Sequence, residues 1–241
     1  MKFQVFTADK QHNEGESTTM ANAVLNLSEL NGSNSFVING IDSGDNLGSS
    51  VSSAGDINGD GFDDLIIGAR YSDSNGQGSS YVIFGSNSGF EDSFNLSSLN
   101  GSNGFLINGI DSGDNLGSSV SSAEDINGDG FDDLIIGASR ANPNGQRYAG
   151  ESYVVFGSNS GFGASFNLSF LNGSNGFVIN GITYDYSNSS VSSAGDINSD
   201  GFDDLIIGAS GADRNVELVA PVGDATRTGC RRHRFCCGNR F

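Results

Sequence analysis

Positive charge, histidine, proline and long apolar runs are all scarce in this chain of 241 residues. Eleven Lys and Arg stand against 29 Asp and Glu, a net charge of −18. That balance excludes nucleic acid as a partner, because its binding needs clustered Lys and Arg. No apolar stretch reaches the roughly 18 residues of a helical membrane span. The opening MKFQVFTADKQ has no apolar segment of the length a secretion signal needs. The two histidines, His12 and His233, leave no credible Ser/His/Asp arrangement for nucleophilic catalysis. Two prolines against 36 glycines, with abundant Ser and Asn, favour tight turns between short strands. No strongly amphipathic helical pattern accompanies them, so the composition is that of an all-β protein.

What the chain does have is one acidic loop written three times: DINGDGFDD at Asp56–Asp64, DINGDGFDD at Asp125–Asp133 and DINSDGFDD at Asp196–Asp204. The intervals are 69 and 71 residues. Each copy puts oxygen-bearing side chains at positions 1, 3, 5 and 9 and glycine at position 6. Calcium takes six to eight oxygen ligands, and alternate positions of a tight loop can supply them. The expected ligands of the first copy are Asp56, Asn58, Asp60, the Phe62 carbonyl and Asp64. The second copy offers Asp125, Asn127, Asp129, Phe131 and Asp133, and the third Asp196, Asn198, Asp200, Phe202 and Asp204. Gly61 supplies the sharp reversal that a β-carbon would resist. Three carboxylates brought to one point repel one another unless a counter-ion joins them. About three Ca2+ ions are therefore expected, and they would leave the chain still acidic. Asp63, Asp132 and Asp203, at position 8, read as outer-shell or solvent-facing residues. Asp45 and Asp114, within GDNLG, read as turn residues.

An EF-hand is excluded by position 12. A bidentate Glu belongs there, and Ile67, Ile136 and Ile207 occupy it. The run LIIGA after each loop is apolar, rich in Ile and closed by Gly. It reads as a buried strand, so the loop joins two strands of a hairpin.

Self-similarity extends beyond the loops, with repeats spanning about 25–93, 94–165 and 166–211. In the first full period strands are expected at about Leu47–Ala54, Asp64–Ala69 and Ser80–Gly85, and then at Gly104–Ile110 across the repeat boundary. Four short antiparallel strands per unit, repeated radially, describe the blades of a β-propeller. Strands covered on both faces, as between neighbouring blades, show no apolar–polar alternation. The inventory gives about two complete blades, 47–110 and 116–182, an unpaired fourth strand near 35–41 and the first half of a third blade.

The loop, the following LIIGA and the FG that closes the third strand at Phe84-Gly85 and Phe156-Gly157 resemble the FG-GAP repeat of integrin α-subunit propellers and their bacterial relatives. The resemblance covers roughly residues 25–210, and departs where the GAP portion reads GAR or GAS. It implies a ring of seven blades with calcium in the first interstrand loop of some of them. It further implies that the cations are structural and that recognition uses the opposite face.

This chain has too few strands to close such a ring. It is expected either to be a fragment of a longer propeller or to associate with further blades. Residues 1–24 lie outside the repeats, and 212–241 form a different segment. From Arg214 onward come six of the eleven basic residues and all three cysteines, Cys230, Cys236 and Cys237. A shifted frame or an unrelated fusion accounts for that tail. A zinc site from Cys230, His233, Cys236 and Cys237 has suitable donors but too compressed a spacing for a familiar module.

Function follows from the repeats. The repeated aspartates suggest scaffolding, whereas an active site usually appears once, so the chain is expected not to be an enzyme. The expected role is a calcium-stabilised adhesion or surface-recognition module, extracellular or at the cell surface. Its partner would be a surface or matrix protein or a glycan. The alternative is a non-catalytic accessory module of a larger extracellular enzyme. The loops Tyr71–Ser79 and Ala141–Glu151 differ between copies and carry no decipherable partner motif.

Overall fold

The computed structural model describes residues 2–6, 35–73, 75–182 and 187–211. They form β1 (Lys2–Phe6), β2 (Ser35–Asn39), β3 (Leu47–Gly55), β4 (Asp64–Ala69), β5 (Ser79–Ile83), β6 (Ser93–Asn95) and β7 (Gly104–Asn108). After these come β8 (Leu116–Glu124), β9 (Asp133–Ala138), β10 (Glu151–Val155), β11 (Ser165–Asn167), β12 (Gly176–Asn180), β13 (Ser187–Gly195) and β14 (Asp204–Ala209). Helix is confined, among the described residues, to the short 3-10 turns Leu96–Ser98, Pro143–Gly145 and Leu168–Phe170. The tail with Cys230, His233, Cys236 and Cys237 lies outside the described residues.

Strands β3, β4, β5 and β7 pair antiparallel in that order as one blade, and β8, β9, β10 and β12 as the next. The hairpin β13–β14 begins a third. The all-β, partial-propeller architecture expected from the repeats is therefore present, and β2 is the expected unpaired strand near 35–41. It has a partner that the repeats did not announce. β1 runs antiparallel to it from Lys2↔Asn39 to Phe6↔Ser35. β5 meets β7 in the same register, from Ser79↔Asn108 to Ile83↔Gly104. Thus β1 and β2 stand as the third and fourth strands of a further blade, although residues 1–24 carry no repeat signature. The three-residue strands β6 and β11 were also unforeseen. They lie parallel on the outer edges of β2 and β7, covering edges that would otherwise invite pairing with another chain.

The LIIGA runs lack alternation because both faces are buried. Ile66 packs into the apolar layer between the first and second blades, with Val82, Phe105, Leu134 and Ile136. Ile67 packs on the other face with Phe36, Ile38 and Tyr81. In the second blade, Ile136 faces back to the first and Ile135 faces Val191 and Ile207 of the third. Aromatic stacks reinforce the layers: the Phe36 ring lies 4.2 Å from that of Phe90, and Phe105 lies 4.3 Å from Phe162. In each pair a fourth-strand Phe meets the Phe that ends the FGSNSGF segment after the third strand of the next blade.

Each inner strand is bulged twice against its neighbour, for example between Leu47 and Ser50 and between Ser53 and Gly55. The extra residue increases local twist. The second bulge sets a left-handed residue directly before the acidic loop: Gly55, Glu124 or Gly195, with φ of 64°, 54° and 64°.

Candidate metal centre in the inner hairpin loops

The acidic loops join β3 to β4, β8 to β9 and β13 to β14. The first-position aspartate organises each turn by accepting backbone N–H groups. Asp56 Oδ1 accepts from Asp60 (3.0 Å) and its Oδ2 from Gly61 (2.9 Å). Asp125 accepts from Asp129 and Gly130, and Asp196 from Asp200 and Gly201. The third-position Asn58 Oδ1 accepts from Asp60 N–H (2.8 Å), and Asn127 does likewise from Asp129. Asp60, Asp129 and Asp200 then accept from the N–H of Phe62, Phe131 and Phe202 at position 7. All three loops therefore fold through the same carboxylate-to-backbone bonds, because acids at alternate positions reach the N–H groups of the tight turn.

The ninth-position aspartates differ from the rest in being fully buried: Asp64, Asp133 and Asp204 are each 0% exposed. Asp64 Oδ2 accepts from Ile57 N–H (3.2 Å) and Oδ1 from Gly85 N–H (2.8 Å). Asp133 accepts from Ile126 and Gly157 in the same way. These bonds tie the loop to the FG glycine at the end of the third strand. Asp204 accepts from Ile197 N–H and from Asn198 Nδ2. Burial pushes the Asp64 carboxyl up to about 7, with Asp60 and Asp56 adding repulsion against the opposing pull of its two backbone bonds. Burial, with Asp129 and Asp125, pushes Asp133 up to about 8. Burial likewise raises Asp204.

Among the described residues no three Asp, Glu, His or Cys side chains converge as a ready-made metal cage. The donor chemistry nevertheless suits a hard cation. Every expected ligand is an oxygen, and a carboxylate oxygen that accepts one N–H keeps a further lone pair. Asp56, Asn58, Asp60 and Asp64, with the Phe62 carbonyl, are the residues that could hold such an ion in the first loop. Asp125, Asn127, Asp129, Phe131 and Asp133, and Asp196, Asn198, Asp200, Phe202 and Asp204, are their counterparts.

Of the eighth-position aspartates Asp63 faces solvent, whereas the other two make contacts between blades. Asp132 Oδ2 accepts the Asp56 N–H of the preceding loop at 2.7 Å, bridging two blades. The equivalent Asp203 instead meets the Glu124 carboxyl, which is raised by burial and by its hydrogen bond with Asp203. Single-sequence reading missed this role because the partner lies 76 residues away. Asp45 and Asp114 do belong to turns. Their carbonyls accept from Tyr71 and Arg140 N–H, and the following Asn46 and Asn115 are left-handed. Burial, with Asp111 and Glu151 nearby, pushes Asp114 up to about 6.

Comparison with known proteins agrees with this geometry. The family described as FG-GAP repeat matches residues 47–83, 116–155 and 187–228. Each of these matches contains one acidic loop, and the first two end on the third strand of their blade. Integrin alpha pat-2 of Caenorhabditis elegans is 37% identical over 94 residues, covering 38% of this chain and 7% of its own length. Integrin alpha-PS5 of Drosophila melanogaster is 37% identical over 100 residues, 41% of this chain and 9% of its own. The chain thus spans less than a tenth of the curated relatives it matches. The three repeats are FG-GAP repeats, and the chain belongs with the integrin-α-like propellers.

Proposed function

We propose that this chain is a calcium-stabilised propeller module of the extracellular space or cell surface, and that it serves adhesion or surface recognition without catalysing a reaction. The observation that carries the calcium part is the state of the ninth-position aspartates. Asp64 and Asp133 are buried carboxyls crowded by acids at positions 1 and 5 of their own loops. Charge of that density, in a loop offering oxygen donors alone, calls for a hard divalent ion. Asp56, Asn58, Asp60, Asp64 and the Phe62 carbonyl would hold one ion, and the corresponding residues of the other loops two more.

The ion would act through stability. A cation that binds only the folded loop adds RT ln(1 + [L]/Kd), about 1.4 kcal/mol per site at tenfold excess. Three such increments are comparable with much of the ~5–15 kcal/mol margin of an ordinary domain. Rigid blades would then present the loops at 71–79 and 141–151 to a surface or matrix protein or a glycan. The similarity to integrin α-subunits supports this role.

Two measurements test the proposal separately. Thermal melts in calcium, magnesium and chelator should show a melting temperature that rises with calcium; identical curves would refute the calcium part. Arrays of matrix proteins and surface glycans, probed with the calcium-equilibrated chain, should yield a saturable binder that chelator releases. Failure to retain the chain on any of them would count against the recognition part.

A further inference from the structure

The two junctions inside the chain show how one repeat seats against the next. Phe131, seventh in the second loop, lays its ring against Gly59, fourth in the first loop. A β-carbon built on Gly59 would stand 2.3 Å from Phe131 Cε1. Phe202 packs against Gly128 in the same way, with a built β-carbon 2.7 Å from its Cε1. Beside this knob and socket, Val120 N–H donates to Ser50 Oγ and Val191 N–H to Ser119 Oγ, each at 2.9 Å. The floor of each junction is buried, with Val120 and Val191 each 5% exposed and Ile57 and Ile126 0% and 1%, whereas the Gly59 and Gly128 sockets lie at its exposed rim under half-buried rings.

At the two ends of the described repeats, the same two faces are open. On the first repeat Val51 is 45% and Phe62 39% exposed; on the third, Ile197 is 58% exposed. Complementary half-blades also stand at the two ends of the described repeats. β1 and β2 supply third and fourth strands, whereas β13 and β14 supply the first and second. The third repeat keeps Ser190 where Ser50 and Ser119 stand, and Ile197 where Ile57 and Ile126 stand. Its fourth loop position alone departs from the socket, with Ser199 in place of Gly59 and Gly128. The backbone there is unchanged in kind, at φ 60° against 73° and 75°. The difference is the added side chain, whose β-carbon stands where the tip of a seventh-position ring would rest, so that ring has to move aside to seat.

We infer that Ser199 is a specificity-determining residue for the order of blades. It makes the open face of the third repeat refuse the Phe62 face of a second copy of this chain, and favour a repeat with a smaller residue at loop position 7. The first repeat's face, by the same rule, takes a repeat whose loop carries glycine at position 4. Without Ser199 the open face of the third repeat would fit the Phe62 face of the first.

The test is self-association of the full chain, followed by sedimentation velocity over a concentration series for the wild type, Ser199→Gly and Ser199→Gly/Phe62→Ala. Opening the socket to one half-buried aromatic ring, as Phe131 and Phe202 are in the formed junctions, should make Ser199→Gly associate several-fold, up to about tenfold, more tightly than the wild type. Phe62→Ala in that background should return it to wild-type behaviour. A Ser199→Gly chain that sediments like the wild type at every concentration overturns the inference. So does a gain in association that survives Phe62→Ala.

Discussion

Asp64 Oδ1 accepts the backbone N–H of Gly85 at 2.8 Å, across 21 residues of chain. That single bond joins the acidic loop to the FG motif, and Asp133 repeats it with Gly157. The FG glycine is required because the loop backbone presses on it: a β-carbon on Gly85 would stand 2.5 Å from the Asp63 carbonyl oxygen. Gly85→Ala should therefore cost about 1–3 kcal/mol, the usual penalty of overpacking. Gly163→Ala is the control, since its β-carbon would come no nearer than 3.7 Å to Ser165 O. Thermal denaturation of both variants checks the pair. Equal stability of the two would mean that the loop does not bear on the FG turn.

Asp60 is the position at which the proposed calcium binding can be tested apart from folding. It is exposed, and its carboxylate accepts only local N–H groups, from the Phe62 backbone at 3.0 Å and from Asn58 Nδ2 at 3.1 Å. Asp60→Ala should lower the melting temperature in calcium by an amount equivalent to about 1–2 kcal/mol, the stabilisation lost with one site. In chelator the loss should be small. Melts in both conditions provide the check, and equal losses would point to a purely structural role.

Asp114 gives the protein a pH dependence unrelated to the acidic loops. Its pKa is raised in the fold from 3.8 to about 6, by burial first and then by Asp111 and Glu151. A carboxyl raised on folding leaves stability fully present below about pH 4, which is lost as pH climbs through about 6. Asp114→Asn removes that loss. The variant should be more stable than wild type at pH 8, by about 1–2 kcal/mol after allowance for solvent screening. At pH 4 the advantage should vanish. Denaturant titrations at both values test the sign; a variant less stable at pH 8 would contradict it.

Glu124 stands where the other two repeats have Gly55 and Gly195, and it is held at φ 54°. Left-handed backbone costs a residue with a β-carbon roughly 1–2 kcal/mol, and its carboxyl also meets that of Asp203. Glu124→Gly should stabilise the protein by about 1 kcal/mol, with the gain larger at neutral than at acid pH. Chemical denaturation at pH 5 and 7.5 measures this, and a loss of stability at both would refute it.

The parts of this structure that were legible in the sequence are those that depend on local spacing. Acids at alternate positions announced the loops, and LIIGA announced strands covered on both faces, which Ile66 and Ile67 bear out by packing into opposite layers. The two complete blades follow from the repeat period. What escaped depends on contacts between repeats. The strand KFQVF has no copy elsewhere in the chain, so nothing marked Lys2–Phe6 as the partner of β2. The strands Ser93–Asn95 and Ser165–Asn167 are three residues long, too short for periodicity to register. Asp132 read only as an outer-shell or solvent-facing residue, because its acceptor role requires the Asp56 N–H of another blade. Nor does local spacing reveal that Asp64 and Asp133 are buried and doubly bonded to backbone.

The most direct test of the calcium assignment is calorimetric titration of CaCl2 into the full chain after treatment with chelator and its removal. The account predicts heat of binding that saturates at about three ions per chain and disappears stepwise as Asp60, Asp129 and Asp200 are replaced by Ala. A titration indistinguishable from dilution of CaCl2 into buffer would contradict it.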